Sequence, residues 1–256
     1  MKKTKGRAAF ALTLAACLWA AALPAAAAGI EDRVLKQWTR STSRSESGGI
    51  QSVAIKVTYY SAEYIEALVR SEAEKNLWTR SEEENYRYNL LRTLNLDENI
   101  AFHVDFDTTG TPVFLQPFDR HLKLYAGKKA LEPSDYDKRF NFRLQGKRDG
   151  MIWFPRYDEK TGKNLLEGVK DLRLVLSGSV SQATARGGDV FFIWDITGDD
   201  PSVLNKGSAA ARLELDRLIK RLENMKGERA KLQSQLDVLD KELSEIDGRV
   251  DELQRQ

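Results

Sequence analysis

The sequence predicts a mainly β fold: an antiparallel β-sandwich, immunoglobulin-like in topology, with a helical pair near its N-terminal side and a long C-terminal coiled-coil helix. Three observations predict it. Between residues 50 and 201, about seven short segments alternate apolar and polar side chains with a period of two, as half-buried strands do. After Asn99 these segments are separated by turn dipeptides with no helix between them, which favours paired antiparallel sheets over a parallel one. From Leu215 onward the apolar period changes to 3.5.

The chain opens with an export signal. Lys2, Lys3, Lys5 and Arg7 precede the apolar run Ala8–Leu23, and Ala26-Ala27-Ala28 supplies the small residues of a cleavage site before Gly29. That run is shorter than the roughly 20 residues a membrane span needs. Leu14-Ala15-Ala16-Cys17 also resembles the lipobox of bacterial lipoproteins, which makes Cys17 a candidate for acylation. The apolar residues that follow it fit cleavage after Ala28 better. The leader carries four bases and no acid, so the formal charge of +2 reverses once it is removed, to 36 bases against 38 acids. A nucleic-acid partner is therefore not expected. Cys17 is the chain's one cysteine, which excludes a disulfide framework.

Residues 29–49 read as a short amphipathic helix with Val34, Leu35 and Trp38 on one side, followed by the Ser- and Gly-rich linker Ser41–Gly49. The sandwich, 50–201, begins with the strand Gln51–Tyr59. Two helices follow. The first is capped by Ser61, with Ile65, Leu68, Val69, Ala73 and Leu77 inward. The second opens on a capping box of Ser81 and Glu84, with Tyr86, Leu90, Leu91 and Leu94 inward. Ile100, Phe102, Val104 and Phe106 then line the inner side of a strand. Further strands are expected at His121–Tyr125, Arg139–Leu144, Met151–Phe154, Leu172–Ser177 and Val190–Ile196. Met151–Phe154 and Val190–Ile196 are apolar on both faces and are expected to be central.

Residues 202–212 read as a hinge and 213–256 as a coiled coil. Leu215, Leu218, Leu222, Met225, Arg229, Leu232, Leu236, Leu239, Leu243, Ile246, Val250 and Leu253 recur at alternating steps of three and four. Arg229 is the one polar residue at these a and d positions, and the stripe is the expected partner interface. A parallel in-register pair would set Arg221 against Lys226 and Glu242 against Asp247, both repulsive. None of its flanking pairs joins opposite charges, whereas an antiparallel pair can place Lys226 near Asp240.

Chemistry is sparse. His103, Asp105 and Asp107 share one strand face and are weak metal candidates, with no fourth ligand visible. No Gly-x-Ser-x-Gly elbow is present, and Ser177-Gly178-Ser179 lacks its context. Asp195, Asp199 and Asp200 could hold Ca²⁺ or simply close a turn. Trp153, Phe154, Tyr157, Phe191, Phe192 and Trp194 could form a sugar platform, although core packing explains them better. Residues 119–163 carry net charge +5 and residues 62–107 net −6, so Lys128, Lys129, Lys138, Arg139, Lys147 and Arg148 could face an anionic surface.

These readings converge on an exported, periplasmic cell-envelope protein of bacterial type, non-enzymatic, with no cofactor. Its partner is expected to be itself or another coiled-coil protein of the envelope, and its membrane contact only a lipid anchor at Cys17. A ligand- or glycan-binding lipoprotein is the alternative reading, and a hydrolase or metal-dependent enzyme a more distant one.

Overall fold

The computed structural model describes residues 29–46 and 50–255. The expected leader and cleavage site, and Cys17, lie outside them. Among the described residues, no helix is long and apolar enough to cross a membrane.

The fold is mixed rather than mainly β. Two antiparallel sheets carry a helical pair on one outer face and a 48-residue C-terminal helix. The first sheet has β1 (Thr39–Ser45), β2 (Ser52–Tyr59) and β3 (Asn99–Phe114) as a meander, then β7 (Arg143–Pro155) and β6 (Asp135–Tyr136). The second runs β5 (Lys129–Leu131), β4 (Leu122–Ala126), β8 (Asp171–Leu176) and β9 (Val190–Asp195). An immunoglobulin order pairs the second strand with the fifth. Here β2 pairs β3, so that topology is not the one observed.

Inward positions of both sheets meet in one core. Val53, Ile55 and Val57 of β2 and Phe102, Val104 and Phe106 of β3 belong to the same buried cluster as Leu172, Leu174 and Leu176 of β8. Trp194 bridges the two sheets, with its ring centroid 5.3 Å from Phe102 and 6.4 Å from Tyr59. Its indole N–H donates to the Trp38 carbonyl at 2.8 Å.

Four local expectations change. Ser41–Ser45 is part of β1 rather than a linker, paired along its whole length with β2. Its polar side chains bury little, as suits an edge strand, and Trp38, buried after α1 (Ile30–Gln37), anchors its start. Residues 143–155 form one strand, not two with a turn at Asp149-Gly150. Gly150 is there for proximity, because a Cβ would come within 2.7 Å of Asp137 Cβ and 2.9 Å of Phe140. β9 is an edge strand rather than a central one, and its Phe191 and Ile193 stand exposed. The residues expected as a hinge form a 3₁₀ turn, Pro201–Asn205, and the start of the long helix at Gly207.

The helical pair explains the remaining two-sided strand. α2 (Ala62–Asn76) and α3 (Arg80–Leu94) bury Ile65, Val69, Leu91 and Leu94 against the outward Ala101 of β3 and Met151 and Trp153 of β7. Ser61 caps α2 as its position suggests, accepting from Tyr64 N–H at 3.0 Å. The α3 capping box is Thr79 with Glu82, two residues earlier than expected. Leu77 is not inward. It ends α2 in the left-handed region (φ 52°) and is exposed.

Candidate functional site

The C-terminal helix, α5 (Gly207–Gln254), follows the one-turn α4 (Gln182–Ala185) and β9. Leu, Glu, Arg, Lys and Ala, all of which favour helix, make up more than half of it. At ~1.5 Å per residue its 48 residues reach about 70 Å. No side chain of its own caps its start. Glu84 of α3 does so instead: its carboxylate accepts from Ser208 Oγ at 2.8 Å and from Ala209 N–H at 3.1 Å. These bonds hold the Glu84 carboxyl below the usual glutamate range, with the Ser208 bond the largest cause. The residue expected in a box within α3 thus joins two helices.

Only the first turns of α5 touch the body. Ala209 is fully buried, Arg212 donates to Asn85 Oδ1 at 2.7 Å and lies over the Tyr88 ring, the Tyr88 hydroxyl donates to Asp216, and Arg217 pairs with Asp97. Positions 208, 209, 212, 213, 216 and 217 form this docking face. In the heptad frame they are a, b, e, f, b and c, and only Ser208, before the stripe begins, sits at an a or d position. The predicted stripe is therefore left open. Every apolar a or d residue from Leu215 to Leu253 is exposed, from 43% at Val250 to 64% at Leu253. Arg229 is exposed with them. A cleft of about 390 Å³ sits at the base, between α3, the 3₁₀ turn and α5, lined by Leu91, Leu96, Leu204, Ala211 and Leu213 among others.

Arg87 stabilises that base from beneath. Its guanidinium pairs with Glu66 of α2 and lies 3.7 Å from Glu83 and 3.9 Å from Glu84. One buried cation thus ties α2 and α3 together and backs the carboxylate that caps α5.

The other candidates fare differently. His103 Nε2 lies 3.2 Å from Asp149 Oδ2, and His103 Nδ1 lies 3.6 Å from Asp105 Oδ2. The structure thus groups His103 and Asp105 with Asp149 of β7, not with Asp107. This trio borders a groove of about 540 Å³ on the open half of the first sheet's outer face. No well-oriented hydrogen bond reaches Asp105 Oδ2, but the Lys56 ammonium stands 2.9 Å from it as its counter-charge. A divalent ion would have to displace that ammonium.

His121 Nδ1 and Ser179 Oγ are 2.9 Å apart, a juxtaposition that the turn before β4 and the turn after β8 create and that sequence spacing does not show. Among the described residues no carboxylate lies within ion-pair distance of His121. Asp195, Asp199 and Asp200 diverge. Asp195 accepts from Thr197, and Asp200 caps the 3₁₀ turn. Asp199 accepts from the Tyr59 hydroxyl at 2.6 Å and from Ala62 N–H at 2.8 Å. Burial raises the Asp199 carboxyl above its usual range and holds the Tyr59 phenol well above its own.

The aromatics form no platform. Phe154, Phe192 and Trp194 are core, Trp153 packs beneath the helical pair, and Tyr157 and Phe191 stand on separate elements. Half of the basic cluster is compensated where it forms: Lys129 pairs with Asp158, Lys138 with Asp135 and Arg139 with Asp137. A scan of protein-family models, a search of curated proteins and a search of solved structures each find no match to the chain.

Proposed function

We propose that this is an exported cell-envelope protein, periplasmic and non-enzymatic, in which a β-sandwich body serves as the mount for a coiled-coil interaction helix. The observation that carries this reading is the division of labour along α5. One face of its first turns is committed to α3, while a 3.5-residue apolar stripe on another face stays open from Leu215 to Leu253. Solvent-exposed leucines at that spacing favour a second helix, because a narrow a/d seam is what helix pairing buries.

Light scattering on residues 29–256 tests the reading against the double variant Leu222→Lys, Leu239→Lys. The expected result is a mass above the monomer, or a retained partner helix from envelope extract, that the variant loses. Equal monomeric masses with the same bound proteins for both chains would overturn it. Mass spectrometry of the mature N-terminus tests export: free Gly29 is expected, acyl-Cys17 would make the protein a lipoprotein, and an intact leader would refute export.

A further inference from the structure

We propose that the occupant of the α5 stripe is a second copy of this chain, antiparallel and offset by one heptad, with Leu222 opposite Leu239 of the second copy. This rests on the coiled-coil reading above and adds the partner, the direction and the register. In this arrangement the layers are Leu215 with Ile246, Leu218 with Leu243, Leu222 with Leu239, Met225 with Leu236 and Arg229 with Leu232, each occurring twice by symmetry.

Charge selects the direction. A parallel in-register pair offers Arg221 against Lys226 and Glu242 against Asp247, with no opposite-charge flanking pair to offset them. In an antiparallel pair, g positions face g positions and e positions face e positions. Full overlap, with Leu215 opposite Leu253, brings Lys226 to Asp240 but also sets Arg221 on Arg249 and Glu228 on Glu242. The one-heptad offset brings Glu214 to Arg249 and Arg221 to Glu242, each twice, with no like-charged flanking pair. At the two-fold axis, Glu228 of each copy is within one turn of Arg229 of the other and supplies its counter-charge.

An offset of one heptad in the opposite sense, with Leu222 opposite Leu253, also pairs opposite charges: Lys226 with Asp247 and Glu228 with Arg249. The base of α5 chooses between the two. With Leu222 opposite Leu239, the last turns of the second copy run down to Ser208 and Ala211, both exposed. Val250 of the second copy then lies opposite Ala211, which lines the 390 Å³ cleft, and Leu253 opposite Ser208 beside it. The opposite offset leaves those two residues short of the cleft. From Leu215 onward the a and d residues stand clear of the docking face of α5, so the second helix meets the body only at the cleft. The two bodies sit at opposite ends of a shared rod.

The test is dimer affinity, by sedimentation of residues 29–256, for Arg221→Glu, Glu242→Arg and the double variant. Each single change should weaken the dimer roughly tenfold, since two attractive pairs become repulsive, and the double variant should restore it. A parallel dimer gives the opposite sign, because each single change relieves a repulsion, and that result overturns the proposal while leaving the coiled-coil reading intact. The chain has no cysteine after Cys17, so the pair Glu214→Cys, Arg249→Cys should close a covalent dimer on oxidation. Closure by Glu228→Cys, Arg249→Cys instead would overturn the register. A monomer at all concentrations would overturn this proposal and self-association with it.

Discussion

The body and the long helix use the same amphipathic coding with opposite outcomes. Leu172, Leu174 and Leu176 alternate along β8 and are no more than 2% exposed. Leu232, Leu236 and Leu239 recur along α5 and are more than half exposed. The difference lies not in the residues but in what faces them. β8 has a second sheet at its inner side, supplied by the same chain through Ile55, Phe102 and Phe106. Beyond its first turns, α5 packs against no other element among the described residues. A period-of-two pattern in a chain that returns on itself is satisfied internally. A 3.5-residue pattern on a projecting helix asks for another helix.

The largest test of that contrast is truncation on each side. Leu174→Ala should destabilise the body by about 2–5 kcal/mol in chemical denaturation. At dilutions where the chain is monomeric, Leu239→Ala should change stability by about 0.5 kcal/mol or less while weakening association. Equal losses of monomer stability for both would mean that α5 is buried in its own chain. Asp199→Ala comes next: it leaves the Tyr59 hydroxyl and the Ala62 N–H without their acceptor, at a cost of about 2–3 kcal/mol in the same assay. Arg87→Ala should cost about 2 kcal/mol, since it strips the counter-charge from Glu66 and Glu84 together. Its signature is early loss of amide protection at the start of α5, and an unchanged exchange pattern there would argue against the tie between the helices.

Acid gives the smallest and most local effect. Because the folded state lowers the Glu84 carboxyl, its contribution is fully present above the ordinary glutamate value of about 4.3 and is lost as pH falls through the lowered one. Amides near Ser208 and Ala209 should therefore exchange faster below about pH 4. The strands should stay protected, and Glu84→Gln should remove the pH dependence. Uniform loosening of the whole molecule would show that the junction is not a separate unit.

Some of this was legible in residue order and some was not. Ser61 as a cap, Ile100 to Phe106 as one buried face and the α5 heptads could all be read, because each depends on spacing within one element. β1 could not, since Thr39–Ser45 is polar on both sides and becomes a strand only because β2 offers it a free edge and Trp38 locks its start. Apolar residues on both faces of residues 151–154 and 190–196 read alike. One is roofed by α2 and α3, while the other, at an edge, keeps Phe191 and Ile193 in solvent. The candidate interface was read as a stripe, but not its base: Glu84, Tyr88 and Asp97 reach it across more than 100 residues of sequence.

By itself the sequence determined the period of each segment, and with it the buried sides of the strands and the helical, seam-bearing character of the C-terminal segment, since these follow from side-chain spacing on a helix or strand. Tertiary structure alone decided the strand order, the placement of the helical pair over half of one sheet, and the capping of α5 by a carboxylate from α3. It also decided that the stripe would be turned away from the body. The physical reason is that spacing acts within one element, whereas order, capping and exposure depend on which distant groups compete for the same backbone donors and the same apolar surface.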